Sequence, residues 1–256
     1  MNGSAPSTAS LPTLPLAGRR AFVTGGASGI GAAIARRLAI DGAQVVIADL
    51  DGERANALAG EIGATAVQLD VADAAEVAVV IQATGPFQIL VNNAGVDQHA
   101  FFTDTTLADW RRLLAVNLES VFATTLAALP AMQAARFGRI INIASEAGRM
   151  GSRGGSVYAA AKGGVIAFTR SIARENGRLG VTANVIAPGP IDTPMLRSAV
   201  EQGGEALLKA MTSATLAGRL GTPDEVAAAV AFLASDAAGF ITGEVLGVSG
   251  GMGCGQ

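Results

Sequence analysis

This 256-residue chain is constrained above all by a succession of short apolar runs in which polar residues do not alternate. The runs fall at residues 21–23, 45–48, 66–69, 89–91, 140–144, 181–187 and 245–248, and they are rich in Val and Ile. A strand without a polar face is buried on both sides, as in a parallel sheet covered by helices. Helix-period segments lie between the runs at 30–41, 51–62, 73–84, 106–136, 157–179 and 223–235. Strand–helix alternation of this kind builds right-handed βαβ units. The expected fold class is therefore α/β: a doubly wound Rossmann fold with a seven-stranded parallel sheet and helices on both faces. Residues 16–256 read as a single catalytic domain. Residues 1–15, with no charged side chain and no apolar run, read as a flexible N-terminal tail. Residues 194–216 interrupt the alternation beyond a strand's carboxyl end, where a substrate lid belongs. The alternative there is a helical surface excursion without a role.

Composition narrows the partners. The 18 basic residues are balanced by 21 acidic ones and form no basic stripe, so nucleic acid is not an expected partner. Cys254 and His99 are the only residues of their kinds, which excludes an internal disulfide and any metal site built on several Cys or His ligands. Both counts suit a reducing cytoplasm. No apolar run reaches the roughly 18–20 residues of a spanning helix, so no membrane is expected. The 33 glycines do not recur every third residue, which excludes collagen. They are expected instead at tight turns and where backbone approaches a ligand.

One glycine cluster sits in a telling place. The first run leads into Thr24-Gly25-Gly26-Ala27-Ser28-Gly29-Ile30-Gly31, and a helix follows. Such a turn brings backbone against a phosphate and aims free helix N–H groups at it. The second run ends at Asp49-Leu50, where a carboxylate can accept the adenosine-ribose hydroxyls of a dinucleotide. The same carboxylate repels a 2′-phosphate, so the expected cofactor is NAD(H) in preference to NADP(H). Asp70-Val71 ends the third run, as an adenine contact or else a plain helix cap. Asn92-Asn93-Ala94-Gly95 ends the fourth, where small and amide residues suit backbone passing close to the cofactor, or a simple turn.

Tyr158 and Lys162 are four apart on a helical stretch and share one face. A free phenol is a poor base at neutral pH. Bringing it there takes about 4 kcal/mol of preferential phenolate stabilisation. A nearby ammonium and a positive nicotinamide ring have the right sign of charge, so the expectation is a lowered Tyr158 pKa. Ser145, after the fifth run, can hold the reacting oxygen by the phenol. Asn117 is a poor helix former in mid-helix, and is expected to distort the helix and expose a carbonyl for a relay water.

Together these motifs resemble the short-chain dehydrogenase/reductase family: Thr-Gly-x-x-x-Gly-x-Gly at 24–31, Asn-Asn-Ala-Gly at 92–95, Asn117, Ser145, Tyr-x-x-x-Lys at 158–162 and Pro-Gly-Pro-Ile-Asp-Thr at 188–193. The resemblance implies Tyr158 as acid/base, Lys162 on the nicotinamide ribose, Ser145 orienting substrate and Asn117 completing the relay. It implies cofactor contacts from Thr24, Gly25, Ser28, Gly29, Ile30, Gly31, Asp49, Leu50, Asp70, Val71, Asn93, Ala94 and Gly95. It implies others from Tyr158, Lys162, Pro188, Gly189, Ile191 and Thr193. A homotetramer is implied, with contacts through the 223–253 region and the 106–136 and 157–179 helices. Within the family, the end of the chain and the stretch around Tyr158 resemble 2-hydroxycyclohexanecarboxyl-CoA dehydrogenases and 3-oxoacyl-thioester reductases.

The expected activity is interconversion of a secondary alcohol and a ketone, on a hydroxyacyl or oxoacyl thioester or a cyclic alcohol. Alternatives are a non-catalytic dinucleotide sensor or a same-family epimerase or dehydratase. The substrate pocket is expected from Val96, Asp97, Gln98 and His99 after Gly95, from Glu146, Gly148, Arg149, Met150 and Arg153 after Ser145, from Gly189, and from the 194–216 lid with Met195; Arg149 or Arg153 is expected near an anionic group.

Overall fold

A computed structural model describes residues 14–254; the expected N-terminal tail lies, through residue 13, outside the described residues. Seven strands form one parallel sheet: β1 (Arg20–Thr24), β2 (Gln44–Asp49), β3 (Thr65–Gln68), β4 (Ile89–Asn92), β5 (Gly138–Ile143), β6 (Val181–Pro188) and β7 (Val245–Val248). Their order is β3-β2-β1-β4-β5-β6-β7. β1 pairs with β2 on one side and with β4 on the other, so the winding reverses between β1 and β4. At such a reversal the two connections leave in opposite directions and a crevice opens beyond the carboxyl ends.

Both faces are covered. α1 (Gly29–Ile40), α2 (Gly52–Ile62) and α9 (Pro223–Ala234) enclose one aliphatic core, with Leu38, Ile47, Ala55 and Val226 buried in it. α3 (Ala74–Thr84), α5 (Ser120–Ala135) and α7 (Ser156–Asn176) enclose the other around Phe22, Leu90, Ile140 and Ile172. The central strands β4, β5 and β6 are buried throughout, as non-alternating runs require. The outermost strands β3 and β7 are not: each has residues open to solvent, because an edge strand has a neighbour on one side only.

The expected 106–136 helix is three pieces. α4 (Leu107–Leu114) passes through a π-helical turn at Ala115–Glu119 into α5. Asn117 lies in that turn, fully buried; its Nδ2 donates to the carbonyls of Leu113 (3.0 Å) and Val96 (2.9 Å). A side chain inserted into the helical ladder is a recognised cause of such a bulge. By length and composition the run Leu107–Ala135 could cross a membrane, contrary to the expectation from apolar runs. Here it packs on α3 and on β4 and β5, with Asn117, Ser120, Thr124 and Thr125 buried.

α6 (Ala147–Met150) is an unexpected single turn after Ser145, and α8 (Pro194–Ser213) makes the 194–216 segment helical, as its alternative reading had it. Thr193 caps α8 by accepting the Leu196 N–H, and Gly204 interrupts the helix at φ +70°.

Candidate active site

The ends of six adjacent strands converge on one cavity of about 1170 Å³. That exceeds the roughly 300–1000 Å³ of an ordinary small-molecule pocket, leaving room for a dinucleotide beside a second molecule. Its floor is the turn after β1. A Cβ on Gly31 would overlap the carbonyl oxygen of Gly25, and one on Gly25 would lie 2.8 Å from the Ala94 Cα. The turn therefore closes tightly only with glycine at both places. Ser28 is the N-cap of α1 but its side chain makes no capping bond, so the first-turn N–H groups stay available towards the cavity. This cradle and helix terminus fit a pyrophosphate.

Threonine and asparagine hold the turn against β4. The Thr24 hydroxyl accepts the N–H groups of Asn93 (3.0 Å) and Ala94 (3.1 Å), and Asn93 Nδ2 donates to the carbonyls of Thr24 and Gly25. Thr24 is thus spent on the frame and does not line the cavity, which corrects its expected role as a cofactor contact. All the other expected cofactor residues line it: Gly25, Ser28, Gly29, Ile30, Gly31, Asp49, Leu50, Asp70, Val71, Asn93, Ala94, Gly95, Tyr158, Lys162, Pro188, Gly189, Ile191 and Thr193.

At the adenosine end, Asp49 Oδ2 accepts the Ala27 N–H (2.9 Å) and Oδ1 the Asp51 N–H (3.0 Å). The carboxylate is thereby held beside the glycine turn. The N-cap of α2 is Asp51 and that of α3 is Asp73, so neither Asp49 nor Asp70 is consumed as a helix cap. Lining side chains with a full positive charge, Arg112, Arg153 and Lys162, belong to other parts of the wall.

The expected catalytic residues also meet on the cavity wall. α7 presents Tyr158 and Lys162 on one face, with Lys162 Nζ 5.8 Å from the phenol ring centroid. Nζ donates to the Ile143 carbonyl (2.9 Å), which aims the ammonium across the end of β5. A Cβ on Gly95 would sit 2.9 Å from Asn117 Oδ1 and 3.4 Å from Lys162 Nζ, so glycine there lets backbone pass both groups. Ser145 lines the cavity at the end of β5 while its Oγ accepts the Ala147 N–H (3.1 Å).

The charge balance differs from the sequence expectation. Burial, then the negative charge of Asp97, push the Tyr158 phenol up to about 12, with the Ser145 hydroxyl acting in the opposite direction. Burial also lowers Lys162 to about 8, against a smaller upward pull from Asp97. The expected lowering of Tyr158 by Lys162 therefore does not hold for the chain by itself. Desolvation is the largest cause, and the nearby carboxylate of Asp97 acts in the same direction.

The substrate residues divide. Val96, Gln98, His99, Glu146, Arg153 and Met195 line the cavity; Gly148, Arg149 and Met150 do not. Arg149 is turned to the buried Glu146, with Nη1 3.2 Å from Oε2. Gln98 reaches the wall, but its amide is engaged by backbone rather than aimed into the cavity. His99 lies 3.6 Å from Asp97. Arg153 sits over the Phe101 ring at the cavity margin, 5.4 Å from its centroid. Asp97 lines the cavity too, as do Leu196, Leu207 and Met211 of the 194–216 segment; Arg112 and Met252 are lining residues that were not expected.

Comparison with known proteins agrees with this geometry. The family model described as enoyl-(acyl carrier protein) reductase matches residues 25–253. The 3-oxoacyl-[acyl-carrier-protein] reductase FabG of Escherichia coli (strain K12) is 42% identical over 92% of this chain and 97% of its own. The corresponding reductase MabA of Mycobacterium tuberculosis (strain ATCC 25618 / H37Rv) is 42% identical over 94% and 96%. Among solved structures, a short chain dehydrogenase/reductase family protein superposes with a TM-score of 0.87 at 38% identity, covering 93% of this chain and 99% of the other. A crystal structure from Agrobacterium tumefaciens, provisionally described as a gluconate dehydrogenase, gives 0.90 at 31% identity over 95% and 99%. Motifs, strand order, crevice and relatives agree, and the chain belongs to the short-chain dehydrogenase/reductase family, whose members are oxidoreductases using a nicotinamide dinucleotide.

Proposed function

We propose that this protein is an NAD(H)-dependent oxidoreductase that interconverts a secondary alcohol and a ketone, with an oxoacyl or hydroxyacyl thioester as substrate. The observation that carries this reading is the meeting of Tyr158, Lys162, Ser145 and Asn117 on the wall of the cavity that begins at the glycine turn. The bound dinucleotide supplies or accepts the hydride. In the reducing direction Tyr158, protonated at neutral pH, gives its proton to the carbonyl oxygen while Ser145 holds that oxygen in place. Lys162 binds ribose hydroxyls and keeps a positive charge near the phenol as it loses its proton. Asn117 holds the backbone of Val96 beside both, accepting its N–H (3.2 Å) and donating to its carbonyl.

The preference for NAD(H) rests on Asp49 and Asp70 at the adenosine end, where a 2′-phosphate would meet carboxylates. The thioester rests on the methionine-bearing apolar wall, suited to an acyl chain, with Arg112 and Arg153 for an anionic carrier. The 3-oxoacyl-[acyl-carrier-protein] reductases among its relatives favour the same class. We further place α8 as the substrate lid of a single-domain chain, and the protein as a cytoplasmic homotetramer with a small-molecule substrate.

Titration with both cofactors tests the preference. NADH is expected to bind at least about tenfold more tightly than NADPH, a difference of about 1.4 kcal/mol, and Asp49→Ser to erase the gap. Equal affinity of the intact protein would refute the preference. In parallel, acetoacetyl-CoA should be reduced with a higher kcat/KM than a neutral ketone of matched chain length. The absence of any gain would remove the thioester.

A further inference from the structure

We propose that Gln98 is a positioning residue for the reaction: from a distant loop it caps the helix that carries Tyr158, and so fixes the phenol against Ser145 and Lys162. The inference rests on the oxidoreductase reading for its kinetic consequence, though its structural part does not.

α7 begins without a cap of its own. Its N-cap residue is Gly155, which has no side chain to offer. Tyr158 lies in the first turn, where N–H groups lack intrahelical partners and helices fray. Gln98 supplies the missing acceptor: its Oε1 receives the N–H of Val157 at 2.9 Å and of Tyr158 at 3.1 Å. These are the second and third helical residues, the two that a local Ser or Asp cap would bind. Two N–H donors facing one amide atom require that atom to be the oxygen. The Nε2 then donates to the Ala100 carbonyl at 3.0 Å, which fixes the amide plane.

The loop holding Gln98 is clamped at both ends. Ala100 N–H donates to the Gly154 carbonyl (3.1 Å), joining the loop to the start of α7 a second time. At its other end Val96 is held by Asn117 through both its N–H and its carbonyl. One short segment thus connects the π-helical turn to the backbone of Tyr158. Gln98 is only 8% exposed, and these bonds use its amide oxygen and nitrogen. It acts through Tyr158 and is not a substrate ligand.

Three variants test this. Gln98→Leu removes the acceptor at nearly constant volume, Gln98→Met does so with a more adaptable side chain should the first fold poorly, and Gln98→Glu keeps the acceptor. Well below the unfolding temperature, the Leu or Met variant is expected to lose about 10- to 100-fold in kcat, with the KM for NADH within about twofold. Gln98→Glu, which keeps the acceptor but loses the donation to Ala100, should lose clearly less kcat than the Leu or Met variant. In a Tyr158→Phe background the Leu substitution should add less than about a twofold loss, because residues acting as a unit are not additive. Amide exchange at Val157 and Tyr158 should quicken about tenfold or more in the Leu or Met variant, and not in Gln98→Glu. A folded Leu or Met variant with parental kcat, an equal loss in Gln98→Glu, or a full additional loss over Tyr158→Phe would overturn the proposal, as would unchanged amide exchange. If the parent shows no NADH-dependent turnover, the oxidoreductase reading fails instead, and the exchange measurement still decides the cap.

Discussion

At the residue scale burial shifts both Tyr158 and Lys162, the pair proposed to carry the chemistry. A lysine whose pKa falls from 10.5 to about 8 on folding binds fewer protons than the unfolded chain between those values. Stability from this group therefore rises with pH across that window, and the full penalty applies below about 8. The penalty is on the order of 3 kcal/mol before the hydrogen bond to Ile143 is credited. Lys162→Met should therefore abolish turnover yet stabilise the fold at pH 7 by about 1–2 kcal/mol, with the gain shrinking towards pH 10. Calorimetry at the two pH values checks this; a lower unfolding temperature at pH 7 would show that the ammonium stabilises the site. The residues of this centre were legible because their types and spacings are tied to local elements. The direction of the Tyr158 shift was not, because it depends first on how deeply the folded chain buries the phenol and then on Asp97 in a loop distant in sequence. The bonds of Gln98 to the start of α7 were not legible for the same reason: its partners lie 59 and 60 residues away.

The same distinction holds at the scale of elements. Non-alternating runs identified the strands, because burial on both faces leaves no polar period; β3 and β7 departed from it because they are edges. Asn117 signalled a distorted helix correctly, since a buried amide in mid-helix must find partners, and it found the Leu113 and Val96 carbonyls. α8 was read as an interruption because the glycines at 203 and 204 obscured its helical period. Less visible was a buried polar chain beneath the site. Thr124 Oγ1 donates to Asn92 Oδ1 (2.7 Å), Asn92 Nδ2 to Asn142 Oδ1 (2.8 Å) and Asn142 Nδ2 to Thr169 Oγ1 (2.8 Å). It joins α5, β4, β5 and α7 in one register, directly below the strand ends that bear Asn93 and Ser145. Removing its centre by Asn142→Ala leaves the Asn92 Nδ2 donor bare in the core. The expected loss is about 2–4 kcal/mol, measured by urea unfolding. A loss below about 0.5 kcal/mol would mean the network relaxes or admits water.

Across the whole molecule, a sheet that reverses between β1 and β4 directs six strand ends at one cavity. Among the described residues, two sites expose large apolar side chains to solvent. Leu126 and Phe122 are exposed on α5, and Phe240 with Leu246 is exposed near the carboxyl end. The proposed homotetramer would cover both, and light scattering should then give four times the 25.5 kDa of one chain. Leu126→Glu and Phe240→Glu should each lower that mass; a monomeric parent, or an unchanged mass in both variants, would contradict the assembly. The central claim is that Tyr158 completes a hydride transfer between nicotinamide and a carbonyl carbon. Its most direct test is a single turnover with NADH deuterated on the transferred face and an oxoacyl thioester, followed by mass spectrometry of the product. The parent should place one deuterium on the new carbinol carbon, and Tyr158→Phe should slow its appearance by about 10²-fold or more while still binding NADH. Deuterium that stays on the cofactor, or appears at the same rate in Tyr158→Phe, would contradict the account.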